Sequence, residues 1–221
     1  MLSQPNIIIL MIDGGRWDRS RNSDVFKKLK NKSVCLEPIT YGPHTIAAMH
    51  AFFSGTYGSR TGTNSYWSSY NFKKDKFKTL SQYLHEKNYY TMTDVVSELV
   101  IPKQGIDEFL IHDEIKDNLL ERHKSFLEKM KLKNEQNQNF FLFLQYSNIH
   151  TGIMNEVLKV YDNFSSEFFE NKLKNEKRYD KLFSNAEKYL TEIMETIYEL
   201  EFDKNSIILI MSDHGISVGE K

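Results

Sequence analysis

Ile207-Ile208-Leu209-Ile210-Met211-Ser212-Asp213-His214-Gly215 is the stretch that decides the architecture. An aliphatic run bounded by Asn205-Ser206 and closed by Gly215 reads as a strand buried on both faces, as in a parallel sheet covered by helices. An acid and an imidazole then fall at the strand's carboxyl end. Open parallel sheets bind ligands in the crevice at that edge. The first apolar run, Ile7-Ile8-Ile9-Leu10-Met11-Ile12, ends the same way, in Asp13-Gly14-Gly15. Two carboxylates and one imidazole on a single edge predict a divalent-metal site, one that would activate a hydroxyl nucleophile supplied from elsewhere in the chain.

The totals are compatible with one α/β domain that buries a full core: 221 residues, 40% apolar and 27% charged. A net charge of -1 provides no electrostatic footprint for nucleic acid or an anionic membrane. A small anionic ester substrate would have to be held locally, by a metal and a few side chains. Cys35 is the single cysteine, which excludes an internal disulfide and a multi-cysteine metal site and predicts a buried packing residue. No stretch approaches the ~20 apolar residues of a membrane span. Met1 to Pro5 lacks the basic and small-residue pattern of a secretory leader, so the expected location is cytoplasmic.

Working outward, Val25, Phe26 and Leu29 mark one face of a short helix, and Val34 to Ile39 is apolar enough for a second strand. In the segment from Tyr41 to Gly55, a turn signal precedes a helix-forming run with a glycine stop. That places Thr45 at or near the helix's amino end, where free N–H groups and the dipole favour an anion. Gly55 to Asn71 reads as a long surface loop. Phe77 to Lys87 reads as an amphipathic helix, Tyr89 to Val96 as a strand, and Ile106 to Leu110 as a weaker one. Asp113 to Lys133 reads as helix, Phe140 to Tyr146 as a strand, and Tyr179 to Leu200 as a long helix. The charged, aromatic stretch 155–178 has no clear period and is expected to be an insertion able to act as a lid. Strands alternating with helices imply parallel pairing and a three-layer α/β/α sandwich.

Three motifs together resemble the alkaline phosphatase superfamily, in its sulfatase-like branch: Asn6 to Gly14, Ser54-Gly55-Thr56-Tyr57-Gly58-Ser59-Arg60-Thr61-Gly62, and Ser212-Asp213-His214-Gly215. The resemblance covers nearly the whole chain and implies an alkaline phosphatase-like fold around a mostly parallel sheet. The chain reads as a single catalytic domain, residues 1–221, without that family's C-terminal subdomain. It implies one divalent ion (Mn, Zn, Mg or Ca) on Asp13, Asp213, His214 and Thr45. Thr45, ten residues before Gly55, falls at the nucleophile's position. By the same resemblance His150 would contact the transferred group, and Lys221 and Arg60 are further candidates for substrate binding.

The family's sulfatases carry Cys-x-Pro-x-Arg at the nucleophile, whereas this chain has Thr45-Ile46-Ala47-Ala48-Met49. Asp13 is followed by Gly14 rather than a second aspartate, and Asp94-Val95-Val96-Ser97 replaces the Gly-Lys-Trp-His segment. These departures favour a phosphoester hydrolase or phosphotransferase that works through a phospho-threonine. The alternatives are a sulfuric ester hydrolase with an unmodified hydroxyl, or a non-catalytic homologue that keeps the fold. Taken alone, Asp13 could cap a helix, Asp213-His214 could be turn chemistry and Thr45 could be a cap. The function therefore rests on whether the three converge. A nucleotide-binding doubly wound protein is disfavoured, because Asp13-Gly14-Gly15-Arg16 lacks the glycine spacing that cradles a pyrophosphate.

Overall fold

The computed structural model describes residues 4–160 and 166–220. Five strands form one sheet: β1 (Asn6–Ile12), β2 (Tyr90–Val95), β3 (Glu108–Ile111), β4 (Phe140–Tyr146) and β5 (Ser206–Met211). Their order is β3-β2-β4-β1-β5, and every pairing is parallel. Helices connect them: α1 (Trp17–Ser20), α2 (Asp24–Lys30), α3 (Thr45–Ser54), α4 (Gly58–Thr61), α5 (Leu80–His85), α6 (Leu119–Glu135), α7 (Asn148–Val160), α8 (Ser166–Glu170) and α9 (Lys172–Glu199). This is the three-layer sandwich expected from the alternating pattern. No helix among the described residues is long and apolar enough to cross a membrane.

Side chains alternate across the pleat, so each central strand feeds two cores. Ile8, Leu10 and Ile12 of β1 join Phe140, Leu142 and Leu144 of β4 against α6 and α9. Ile9 and Met11 join Phe141 and Phe143 on the opposite face, where Phe53 of α3 packs edge-on with centroids 6.2 and 5.3 Å away. Burying a side chain of this size stabilises the fold by about 1.5–3 kcal/mol. The contact also fixes α3 on the sheet, with its amino end at the carboxyl edge.

Four expectations fail for physical reasons. The last strand is not buried on both faces: β5 is the sheet edge, and Ile207 and Leu209 are 56% and 37% exposed. Val34 to Ile39 forms no strand, because no neighbouring strand pairs with it; Val34 and Ile39 are 85% and 97% exposed. Cys35, in the same segment, is exposed rather than packed. Residues 113–118 are a turn before α6, held by Asp113 N–H donating to Asp117 and by the Asn118 cap on Leu120. Part of the expected lid, 161–165, lies outside the described residues. The rest of it is helical, with Phe168 of α8 buried in the core and α9 already under way from Lys172.

Candidate active site

Parallel strands β1 and β5 pair in register from Asn6–Ser206 to Met11–Met211, so the loops that leave their carboxyl ends emerge side by side. One loop begins with Asp13 and the other carries Asp213-His214. The two carboxylates and the His214 imidazole are buried and lie within 4.8 Å of one another. His214 Nε2 is 3.2 Å from Asp213 Oδ2 and 3.7 Å from Asp13 Oδ1.

The proton positions make this arrangement hungry for a cation. His214 Nδ1 is 2.7 Å from the Gly215 carbonyl, which can only accept, so Nδ1 carries a proton, and in the neutral ring Nε2 presents a lone pair. With the ring neutral, as a metal ligand requires, Nε2 and Asp213 Oδ2 are two acceptors 3.2 Å apart. Asp213 Oδ2 is buried with no hydrogen-bond partner. Asp13 is pushed well above the usual carboxylate range by burial and then by the charge of Asp213, with the Gln145 and Thr45 hydrogen bonds pulling the other way. A buried acceptor left unsatisfied costs about 1–3 kcal/mol, and a divalent ion would relieve both penalties at once. Two carboxylates and a neutral imidazole form a donor set suited to a hard or borderline divalent metal, and the residues fit the group.

Thr45 joins this set. It is the first residue of α3, whose cap is His44 at its amino end and left-handed Gly55 (φ 60°) at its carboxyl end. Phe53 and Met49 bury one face of the helix, and this aims its amino end at the sheet edge. Thr45 Oγ1 lies 3.1 Å from His214 Nε2 and 3.4 and 3.5 Å from the two Asp13 oxygens. The first N–H groups of a helix have no intrahelical acceptor, so an anion meeting Thr45 would also meet those donors.

His150 comes to the same place on α7, its ring 6.3 Å from that of His214 and edge-on to it. Burial and then the neighbouring His214 hold it below the usual histidine range. Arg60 sits exposed on α4, where its carbonyl accepts from Lys73; among the described residues, no hydrogen bond or ion pair brings its side chain to the candidate metal ligands. Lys221 lies outside the described residues.

Sequence reasoning missed several participants. Gln145 on β4 donates to Asp13 Oδ2 at 2.8 Å and accepts from Val96 N–H, which orients the carboxylate. A polar residue within an otherwise apolar strand was the available signal. Thr40 Oγ1 donates to the Asp213 carbonyl at 2.6 Å. Glu114, held by the Thr151 hydroxyl at 2.5 Å, lies near enough for its charge to act on both Asp13 and His150. His44 is close enough to His214 to be held below the usual range, mainly by burial and then by that neighbour.

A second group of the same ligand types, Asp94, His112 and His123, lies under the β2–β4 half of the sheet edge. Asp94 accepts from His112 Nδ1 at 3.1 Å, from His123 Nε2 at 3.0 Å and from Arg122 through Nη2 at 2.9 Å and Nε at 3.1 Å. The far nitrogens are used as well, His112 Nε2 by the Ser147 hydroxyl at 3.0 Å and His123 Nδ1 by Tyr189 OH at 2.6 Å.

A sequence model of the sulfatase family matches residues 5–221. The chain belongs to the sulfatase family. Several solved structures share the fold of this family member. They include yidJ of Bacteroides fragilis, provisionally a sulfatase (15% identity, TM-score 0.76, 99% of this chain and 64% of that one). The lipoteichoic acid synthase LtaP of Listeria monocytogenes is similar at 14% identity and TM-score 0.69, over 97% of this chain and 57% of that one. Murine ectonucleotide pyrophosphatase/phosphodiesterase 5, solved with AMP, is similar at 11% and 0.68, over 96% and 57%. No curated protein sequence matches the chain. At these identities the likeness establishes the fold, which is that of the alkaline phosphatase superfamily. The family member spans only 57–64% of the length of these three structures.

Proposed function

We propose that the protein is a metal-dependent hydrolase or transferase of phosphate esters, of phosphodiester or phosphonate type, with Thr45 as nucleophile. The observation that carries this reading is the position of the Thr45 hydroxyl, 3.1 Å from His214 Nε2 and 3.4 Å from Asp13 Oδ1, at the amino end of α3. Asp13, Asp213 and His214 would hold a divalent ion, whose Lewis acidity would ease deprotonation of the Thr45 hydroxyl and polarise the ester. Thr45 Oγ, its proton passing to solvent, attacks phosphorus in line while the bond to the leaving oxygen breaks, and the leaving oxyanion takes a proton from water. Water or an acceptor alcohol then takes the phosphoryl group and frees Thr45. The α3 amide groups and His150 bind the non-bridging oxygens, because phosphoryl transfer depends on fixed partners for the charge of the transferring group. The absence of a cysteine at position 45 and of the arginine that would stand at Met49 favours phosphate over sulfate. The phosphodiesterase among the structural neighbours is consistent with that preference.

The test is turnover of aryl phosphodiester, phosphomonoester and sulfate ester substrates with Mn²⁺, by the natural chain and by Thr45→Ala. Diester cleavage lost in the variant supports the reading. Preferential sulfate ester cleavage would make the protein a sulfuric ester hydrolase instead. Metal binding without turnover by the full-length gene product would make it a non-catalytic homologue.

A further inference from the structure

Asp13 and Asp213 are buried carboxylates that repel each other, on two loops that leave the sheet separately. Something must keep them close when no cation does. One direct tie is the Gly14 N–H, which donates to Asp213 Oδ1 at 3.2 Å from a backbone with φ of 73°. Further ties that do not involve the ligands' own side chains come through Arg16. Its guanidinium Nη1 crosses to the other loop, donating to the Ile216 carbonyl at 2.8 Å and pairing with Glu220 at 2.7 Å. Its Nε and Nη2 form a fork on Asp18, both at 2.9 Å, which fixes the plane of the group.

Beneath this, Tyr179 of α9 is fully buried and its hydroxyl is used twice. It donates to the Gly14 carbonyl at 2.8 Å and accepts from the Arg16 N–H at 2.8 Å. The Arg16 guanidinium carbon lies 5.8 Å from the Tyr179 ring centre. Gly14 and Arg16 flank the turn just after Asp13, and Ile216 lies two residues after His214. The Arg16 and Tyr179 contacts therefore act on the two loops that carry the ligands and none touches a ligand itself.

We propose that Arg16 and Tyr179 are positioning residues for the metal centre, Arg16 clamping the loop after β1 to the loop after β5 and Tyr179 holding the Gly14–Arg16 backbone against α9, so that Asp13, Asp213 and His214 stand at ligand spacing before the ion arrives. This inference rests on the metal site of the proposed function. It has a sign that simple electrostatics cannot imitate. Removing the guanidinium takes away a positive charge and leaves Glu220 without its cationic partner near the site, while Asp18 keeps Arg19 at 2.6 Å. By Coulomb's law alone, Arg16→Ala should bind a cation more tightly. Loss of a clamp should weaken binding, because the two carboxylates must then be brought together against their repulsion at the expense of metal affinity. Groups that orient metal ligands without touching the ion typically account for about 10–100-fold in affinity.

The experiment is calorimetric titration of the metal-free chain with Mn²⁺ at neutral pH, alongside a metal-free thermal melt of each variant. Arg16→Ala is expected to bind about tenfold more weakly, and Tyr179→Phe, which changes no charge, several-fold more weakly. Arg16→Lys keeps the charge but cannot span Ile216, Glu220 and Asp18 together, so it should resemble Arg16→Ala. Unchanged or tighter binding by folded Arg16→Ala overturns the clamp. If Arg16→Ala does not fold, Tyr179→Phe decides by the same criterion. Should the natural chain show no saturable Mn²⁺ binding that Asp213→Asn abolishes, the metal site itself fails, and the clamp fails with it. Binding by the natural chain with no change in either variant overturns the clamp alone.

Discussion

Two buried clusters of aspartate and histidine occupy the same edge of one sheet, and they differ in what completes them. Around Asp94, both carboxylate oxygens are covered by Arg122 and two imidazoles, and the outer histidine nitrogens are covered by Ser147 and Tyr189. A cation there would face a guanidinium already bound to its carboxylate. Around Asp213, one carboxylate oxygen has no hydrogen-bond partner and lies 3.2 Å from His214 Nε2. Composition does not separate a metal ligand set from a structural hub. Hydrogen-bond satisfaction does, because a closed network has no coordination to offer.

The difference shows in the protonation equilibria as well. Burial alone would raise Asp94, yet hydrogen bonds from His112, His123 and Arg122 outweigh it and hold the carboxyl well below its usual range. Asp13, equally buried but beside a second carboxylate, moves up instead. One cluster stabilises its own charge, whereas the other requires charge from outside.

The largest effect should come from breaking the closed cluster. Asp94→Asn removes the buried charge opposite Arg122, leaving it Asp117 at 3.6 Å, and is expected to lower the unfolding free energy by about 3 kcal/mol, the low end for a broken buried pair. The low end applies because Arg122 is 27% exposed. Denaturant unfolding checks this, and Mn²⁺ affinity should be unchanged. Asp213→Asn should do the opposite, costing at least about 100-fold in Mn²⁺ affinity, or roughly 2.7 kcal/mol. The melting temperature of its metal-free form should stay the same or rise, because a carboxylate repulsion has gone. An equal loss of stability in both variants would erase the distinction.

How these two clusters read in the sequence differs in an instructive way. Asp13, Asp213 and His214 were legible because each comes at the end of an aliphatic run, and parallel strands deliver their carboxyl ends to one edge. Thr45 was legible from Gly55, which stops its helix. Asp94, His112 and His123 were not, since 18 and 29 residues separate the histidines from the aspartate and only folding unites them. The exposure of β5 was hidden for a related reason. Ile207 and Leu209 carry the pattern of a central strand, but burial depends on what packs against a strand and not on the strand itself.

Acidification should sharpen the contrast next. Burial, countered only in part by Asp94, lowers the folded-state value of His123, and burial lowers that of His50 to about 4. A depressed histidine contributes stability that is full above the unfolded value near 6.5 and is lost as pH falls toward the folded one. For His50 that window runs from about 6.5 to about 4. Each such histidine should remove about 1.4 kcal/mol per pH unit within its window. A melting temperature that is flat between pH 7 and 5 would contradict this. The smallest effect is expected from Ser147→Ala, which leaves His112 Nε2 without its partner and should cost about 1 kcal/mol in denaturant unfolding without altering Mn²⁺ binding.

The most direct test of the central claim is anomalous diffraction from crystals of the chain soaked in Mn²⁺. The account predicts a peak bounded by Asp13, Asp213 and His214, beside the Thr45 hydroxyl, and none at Asp94, His112 and His123. A peak at the second cluster, or no peak at the first, would contradict it.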